Sequence, residues 1–595
     1  MTMDQRLPPR RKPEAGSFDT RPAQLEAWIA DLPMINVGEA TRRLFNALLE
    51  MNNLAIGASQ RFKALEMLLS PVAEVTEAMK KHYVGRNFPL PDKARKVAEL
   101  SRALLGQMAT GYRIVVEDES HKSLLTRDKK LLATAIHRAL SQLGLVLLKA
   151  YQVYAPYPPG VWGQIHHLYR LAENRKLLGT AVKVHDSEPV PATIGDVYKQ
   201  ILLLALACPY RLRQGEVEQV YAILREWCRD ARMTPLTEPE NPSGVYVVNL
   251  DSDDPPTYLV LRRTCYDADA CRLLETHELA EEVRHELSRH RQNGNAALPE
   301  PLLRRLMLAW GVMPKRKFSR KRKHSSATVA MGLSAAHYFI SGEQVFVATP
   351  GESGQDEPLF DTPARFEARE TRDNRDKTPD LWDLHDTHRW HRDPSGVRMV
   401  DIDWEDEESQ SQEENGERRP RYQAQEWKMI DVSAGGYRLL WDSSAPSQAV
   451  VGELVGIRET QDPDTFHLGL GVVRWMKTTD EHGLELGVEM LSPGGVAVGT
   501  RSPKTKEYQR SLILPEIRAI AQPATLVTPS IPFRVGDTIL VNSHGKEVRV
   551  ELTKLVENTG AFAQFQFRSL DAHSRPTATE GEPRPEDFEG LWNEL

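Results

Sequence analysis

The chain has 595 residues, which is too long for one hydrophobic core and predicts two to four domains. Its 83 Asp and Glu outnumber 76 Lys and Arg, and the net charge of −7 argues against a protein that coats nucleic acid but not against a local basic patch. The 4 cysteines show no C-x-x-C spacing and no apolar leader precedes them, so we expect a reduced, cytoplasmic protein without membrane insertion.

The N-terminal half predicts an irregular all-α scaffold. Residues 1–20 are rich in charge and proline and predict a disordered leader, followed by a helical region over residues 21–310. In "RFKALEMLLSPVAEVTEAMKK", Phe62, Leu65 and Leu69 fall on one helical face. Further helices are predicted over residues 36–52, 93–116, 127–154, 160–173, 194–208, 213–231, 268–290 and 299–310. A small β-hairpin is predicted in "GVYVVNLDSDDPPTYLVLRR", and we expect the helical region to bind a protein partner.

The second half predicts antiparallel β structure, interrupted by a long insertion. A first barrel is expected from residues 311–342 together with 422–495, and a second small barrel from 496–570. Between the two parts of the first barrel, residues 343–421 predict a disordered acidic insertion, and residues 571–595 predict a loose tail. The predicted fold class is therefore α+β multidomain: a helical half followed by two antiparallel barrels.

The motifs of common enzymes are absent from the sequence. It contains no G-x-x-x-x-G-K-[ST] phosphate loop, no G-x-S-x-G nucleophile turn and no Cys spacing typical of zinc sites. We therefore expect a protein that is not an enzyme and has no metal site.

The most unusual local composition is the run "KRKFSRKRKH" from Lys315 to His324, in which 7 of the first 9 residues are Lys or Arg. Such a run can contact nucleic-acid phosphates, lie on a membrane surface, serve as a solvated linker or bind one small phosphate ligand. The run alone does not decide among these four.

A second motif narrows the choice. The hexamer "DVSAGG" follows the apolar strand "WKMI" and can place a carboxylate at Asp431, a hydroxyl at Ser433 and a closely approaching backbone at Gly436. An ordinary Asx-turn in a hairpin would have the same composition. However, the basic run contains the spacing R-x-x-x-R at Arg316 and Arg320, directly before the strand-like "TVAMGLSA".

Together these motifs resemble the PilZ domain, a β-barrel receptor for cyclic di-GMP in which R-x-x-x-R precedes the first strand and [D/N]-x-S-x-x-G lies on the barrel surface. The overall layout also resembles the long PilZ proteins of the FimW type, which are linked to type IV pilus-dependent attachment. The resemblance implies that Arg316, Arg320, Asp431, Ser433 and Gly436 bind cyclic di-GMP. Arginine suits this ligand because its planar guanidinium can bond to phosphate or guanine and stack on a base.

Several alternatives stay open at this level. Compact PilZ domains separate the two motifs by one strand, whereas here the insertion lies between them. The insertion also contains a rival R-x-x-x-R pair at Arg365 and Arg369 and a basic cluster at 418–421. The run could instead support a nucleic-acid-binding or helical adaptor protein, or the barrel could be a degenerate PilZ domain that binds no nucleotide.

Overall fold

The architecture follows the predicted class. The computed structural model describes residues 7–123, 125–183, 192–237, 242–259, 267–293, 297–311, 318–346, 360–361, 422–459, 468–479, 483–518, 521–543 and 545–570. Within these residues the chain forms a helical body, a small four-stranded sheet and two closed six-stranded antiparallel barrels. The predicted α+β arrangement with two barrels is confirmed.

Among the described residues, ten helices form the helical body. They are α1 (Pro22–Ala30), α2 (Val37–Asn52), α3 (Ala58–Met79), α4 (Asp92–His121), α5 (Lys129–Gln152), α6 (Val161–Asn174), α7 (Ile194–Leu206), α8 (Gln214–Trp227), α9 (His277–Asn293) and α10 (Glu300–Trp310). Local sequence explains several helix starts, because Asn36, Asp128 and Thr193 each cap a helix with a side-chain oxygen that accepts backbone N–H groups. Helix α5 is long and apolar enough to cross a membrane, but 78% of its apolar window is buried in the fold, as expected of a core helix.

Two parts of the N-terminal half differ from the sequence prediction. Residues 7–20 are not a disordered leader, because Arg10 forms an ion pair with Asp118 at 2.6 Å and the backbone N–H of Phe18 donates to Glu50. The predicted helix over residues 268–290 begins only at His277, since the preceding residues form a strand of the small sheet. Both differences come from pairing with distant segments, which local periodicity does not report.

The small sheet contains the predicted hairpin. Its strands are β3 (Arg232–Pro235), β4 (Val245–Asn249), β5 (Thr257–Tyr258) and β6 (Cys271–Glu275), after a short pair β1 (Ala181–Val182) and β2 (Ala192–Thr193). The strand order is β3-β6-β4-β5, so the β4–β5 hairpin lies at one edge of the sheet.

The first barrel begins with β7 (Lys321–Met331), which leads into helix α11 (Leu333–Ile340). After a short pair, β8 (Val345–Phe346) and β9 (Phe360–Asp361), its other strands are β10 (Gln425–Ser433), β11 (Gly436–Trp441), β12 (Leu454–Glu459), β13 (Gly469–Thr478) and β14 (Leu484–Ser492). The closed order is β10-β11-β14-β13-β12-β7. Thus β7 and β10, which lie on either side of the insertion in sequence, are adjacent in the barrel.

The second barrel is built from β15 (Val496–Arg501), β16 (Gln509–Leu514), β17 (Thr525–Pro529), β18 (Thr538–Ser543), β19 (Lys546–Asn558) and β20 (Phe562–Ser569). Its closed order is β15-β16-β17-β20-β19-β18. Helix α11, which the sequence analysis did not predict, packs between the barrels: Ala336 is fully buried and His337 Nε2 lies 3.2 Å from Val498 O.

Strand β13 and its neighbours join the first barrel to the other domains. The backbone N–H of Thr478 donates to Tyr154 O at 2.9 Å, and that of Ser447 donates to Phe88 O at 2.6 Å. Toward the second barrel, Arg474 Nη2 donates to Glu557 Oε2 at 2.9 Å. The first barrel therefore contacts both the helical body and the second barrel.

Candidate functional site

The Asp-x-Ser-x-x-Gly motif forms a tight turn between two neighbouring strands. Asp431 and Ser433 lie on β10, Gly436 begins β11, and the Ser433 hydroxyl donates to Gly436 O at 3.3 Å across the turn. Gly436 has a φ of +151°, and a Cβ at this position would collide with the carbonyl oxygen of Val488. The motif therefore needs glycine at its last position for a steric reason.

The basic run reaches this turn through an aromatic residue. Phe318 is 50% exposed, and its ring lies on Gly435, where a Cβ would come within 2.9 Å of Phe318 Cδ2. Phe318 is the middle residue of R-x-x-x-R, so this contact brings the two predicted motifs together despite the insertion between them.

One of the two predicted arginines lies among the described residues. Arg316 lies outside the described residues, as does the rival pair Arg365 and Arg369. Arg320 is described and exposed, and it immediately precedes Lys321, the Cα partner of Val432. The next arginine, Arg322, is also exposed and is the Cα partner of Asp431 itself.

Strand register extends the site beyond the motifs. A single row of Cα partners crosses the outside of the barrel from β7 to β13: Arg322, Asp431, Arg438, Gly487 and Trp475. With neighbouring strands about 4.8 Å apart, the row is roughly 19 Å long. We call the part of this surface formed by Asp431, Arg438, Glu485, Gly487 and Trp475 the motif face.

The centre of the motif face is an ion-paired arginine. Arg438 Nη2 donates to Glu485 Oε2 at 2.8 Å, whereas its Nη1 is 3.4 Å from Asp431 Oδ2. The first distance is normal for a charge-assisted hydrogen bond and the second is long. The hydrogen bond with Glu485 and the proximity of Asp431 raise the pKa of Arg438 above its ordinary value, so the guanidinium stays charged.

An aromatic surface borders this arginine. The indole of Trp475 lies directly on Gly487 and leaves no room for a Cβ there. A partly exposed indole beside a charged guanidinium and a carboxylate offers stacking and hydrogen bonding on one surface. Sequence reasoning missed both Trp475 and Arg438, because only the register places them in the row of Asp431.

The barrel interior behind the motif face is closed by a polar contact. Lys323 forms an ion pair with Glu459, and the Tyr437 hydroxyl donates to the same carboxylate at 3.4 Å. Burial raises the pKa of Tyr437 to about 12, with Glu459 adding to the effect, so this phenol stays protonated at neutral pH. This contact holds strands β7, β11 and β12 together at the end of the barrel that carries the motifs.

No group of three or more His, Cys, Asp or Glu arranged for a metal ion occurs among the described residues.

Known protein families match all three parts of the chain. Family models described as "Cyclic-di-GMP receptor FimW, N-terminal domain", "Cyclic-di-GMP receptor FimW, middle PilZ domain" and "FimW C-terminal beta-barrel domain" match residues 23–239, 245–496 and 495–570. The chain is 30% identical over 618 aligned positions to the cyclic-di-GMP receptor FimW of Pseudomonas aeruginosa, covering 99% of this chain and 98% of that protein. No solved structure matches the chain.

Proposed function

Because the chain belongs to the FimW family of cyclic-di-GMP receptors, we propose that it binds cyclic di-GMP on the motif face of its first barrel. One observation carries this proposal: Phe318 of the R-x-x-x-R segment lies on Gly435 of the D-x-S-x-x-G turn. The segment and the turn are thus held beside each other on the outside of one barrel. Arginines, a carboxylate and an aromatic surface can together bind two guanines and two phosphates.

The chemistry of each group assigns it a part in binding. Asp431 accepts from the N1 and N2 donors of a guanine, and Ser433 bonds to phosphate or base. Gly436 allows the close approach of the backbone. Arg316 and Arg320 bond to phosphate or guanine, and the surrounding lysines attract the dianion. Trp475 adds a stacking surface at the far end of the row.

The protein acts as a non-enzymatic effector that converts nucleotide binding into partner binding. Binding of the ligand between the basic segment and the barrel changes the surface that this segment presents, and this change is the signal that a protein partner recognises. We propose that this effector acts in type IV pilus-dependent surface attachment or motility, a role that the similarity to FimW supports. The cytoplasm, at a membrane-associated machine or a cell pole, is the corresponding location.

Calorimetric titration of the full-length protein with cyclic di-GMP tests this function. We expect binding by the unaltered chain and a loss of about 2–4 kcal/mol of binding free energy in Asp431→Ala and in Arg316→Ala, because each change removes a charged partner of the ligand. No heat with the unaltered chain, or equal affinities in the variants, would refute the assignment. Steeply salt-dependent binding to duplex DNA instead would favour the nucleic-acid alternative.

A further inference from the structure

Arg438 occupies the middle of the motif face, and no sequence motif includes it. On one side its row partner is Asp431 on β10, and on the other it is Gly487, which is buried under the Trp475 indole. A ligand that contacts both Asp431 and Trp475 must therefore pass over Arg438. The arginine is reachable, because its side chain is 34% exposed.

The contacts of Arg438 fix its position and leave its Nη1 only weakly bonded. The short bond from Nη2 to Glu485, at 2.8 Å, anchors the guanidinium on the barrel surface. The distance from Nη1 to Asp431 is 3.4 Å, which is too long for a strong charge-assisted bond. A ligand can therefore compete for Nη1 and for the Asp431 carboxylate without breaking the anchor.

The side-by-side arrangement of Asp431 and Arg438 is complementary to the adjacent donors and acceptors of guanine. Guanine has donors at N1 and N2 and acceptors at O6 and N7, and arginine is the residue that most often bonds to the O6 and N7 acceptors. Adenine carries an amino group in place of O6, so it would place a donor against the arginine. A carboxylate and a guanidinium on adjacent strands thus match guanine and oppose adenine.

We propose that Arg438 is a ligand-binding residue that reads the O6 and N7 edge of one guanine, while Asp431 reads the N1 and N2 edge of the same base. This inference rests on the proposed function, since it assigns base recognition within the cyclic di-GMP site. It leaves Arg320 of the basic segment to bind the phosphates. Glu485 is a positioning residue, because it acts on the ligand only through Arg438.

Deletion of one ligand atom tests the assignment. The full-length protein is titrated with cyclic di-GMP, with its 7-deazaguanine analogue, which lacks the N7 acceptor, and with cyclic di-AMP. The proteins compared are the unaltered chain, Arg438→Gln, Arg320→Gln and the control Arg501→Gln. Arg501 is matched to Arg438 because it is also partly buried and forms an ion pair at 2.8 Å, with Glu547 of the second barrel.

We expect loss of N7 to weaken binding about tenfold in the unaltered chain and equally in Arg501→Gln, as for loss of one base contact. Arg320→Gln should bind more weakly but keep the tenfold difference between the two ligands. Arg438→Gln should bind cyclic di-GMP and its 7-deazaguanine analogue with the same, weakened affinity. It should also discriminate less against cyclic di-AMP. A simple loss of folding would weaken the binding of both ligands but preserve the ratio of their affinities.

The outcomes separate this inference from the proposed function. If the unaltered chain binds none of the three ligands, the proposed function itself is wrong. If it binds cyclic di-GMP but tolerates loss of N7, or if Arg438→Gln keeps the tenfold difference, Arg438 does not read this edge. If the difference disappears in Arg320→Gln instead, base recognition belongs to the basic segment and the inference is overturned.

Discussion

The aromatic ring of Phe318 lies on Gly435, and this contact joins the segment before the first barrel strand to the turn between β10 and β11. A half-exposed phenylalanine gains little from packing on a glycine alone. Phe318 lies between the two arginines of R-x-x-x-R in the sequence. Its contact with Gly435 therefore holds the start of β7 beside the turn that follows Asp431 before any ligand binds. Such preorganisation lowers the entropy lost on binding.

The first prediction concerns this pair. Phe318→Ala should weaken cyclic di-GMP binding several-fold with no change in the melting temperature of the free protein, since the residue is half exposed. Gly435→Ala should have a similar effect, because its Cβ would push the ring away. The double variant should be no weaker than either single one, as measured by titration. Additive losses, or equal losses in the control Leu308→Ala at another exposed apolar residue, would contradict the contact's role.

The second prediction concerns the stacking surface. Trp475→Ala should cost about 1–3 kcal/mol of binding free energy if a base stacks on the indole. Gly487→Ala tests the same surface differently, since the added methyl group must displace the indole while leaving Trp475 in the sequence. Quenching of tryptophan fluorescence by cyclic di-GMP measures the stacking, and quenching that persists in Trp475→Phe would show that another tryptophan reports the ligand.

The third prediction concerns the link to the second barrel. Arg474 bonds to Glu489, the Cα partner of Gly436 in the motif, and to Glu557 of the second barrel. We expect Arg474→Gln to lower the free energy of unfolding by about 1–2 kcal/mol, because the side chain is one-third exposed and solvent screens part of the ion-pair energy. It should also speed hydrogen exchange in β19. Arg568→Gln, which removes an exposed ion pair from the same barrel, is the control. Equal exchange in both variants would show that Arg474 does not hold the barrels together.

The fourth prediction concerns acid stability. Burial and, to a smaller extent, the nearby Arg510 lower the pKa of His337 from its ordinary 6.5 to about 4, although the contact with Val498 opposes the shift. The unfolded chain therefore takes up a proton near pH 6.5 that the folded chain takes up only near pH 4. The contribution of His337 to the free energy of unfolding is complete above pH 6.5 and is lost as the pH falls toward 4. At pH 5 the loss is on the order of 2 kcal/mol.

Chemical denaturation of His337→Gln at pH 7.5 and pH 5 measures this dependence. The variant should lose less stability between the two pH values than the unaltered chain. The exposed His324→Gln should behave like the unaltered chain. An unchanged pH dependence in His337→Gln would assign the acid sensitivity to other groups.

Local pattern predicted much of this fold. The apolar spacing located helices α2 to α8 and α10 because their buried faces repeat with the helical period. The D-x-S-x-x-G spacing identified Asp431, Ser433 and Gly436 because the chemistry and the steric demand lie within one turn. Helix α11 was not predicted, since its small residues follow a β-prone run and its apolar face is defined only by packing against strands of both barrels.

Residues brought together by register could not be found in the same way. Trp475 joins the row of Asp431 only through β11 and β14, and a register shift between Val473 and Trp475 sets which β13 side chain faces outward. Arg438 likewise acquires its neighbours from three strands. These relationships depend on barrel closure, which a sequence pattern does not encode locally.

Hydrogen exchange of the full-length protein, with and without saturating cyclic di-GMP, tests the central claim that both motifs form one site. We expect the ligand to slow exchange both in residues 318–324 and in residues 431–438, and we expect Asp431→Ala to abolish both effects at the same ligand concentration. Protection confined to one of these segments, or located only in the helical body or the second barrel, would contradict it.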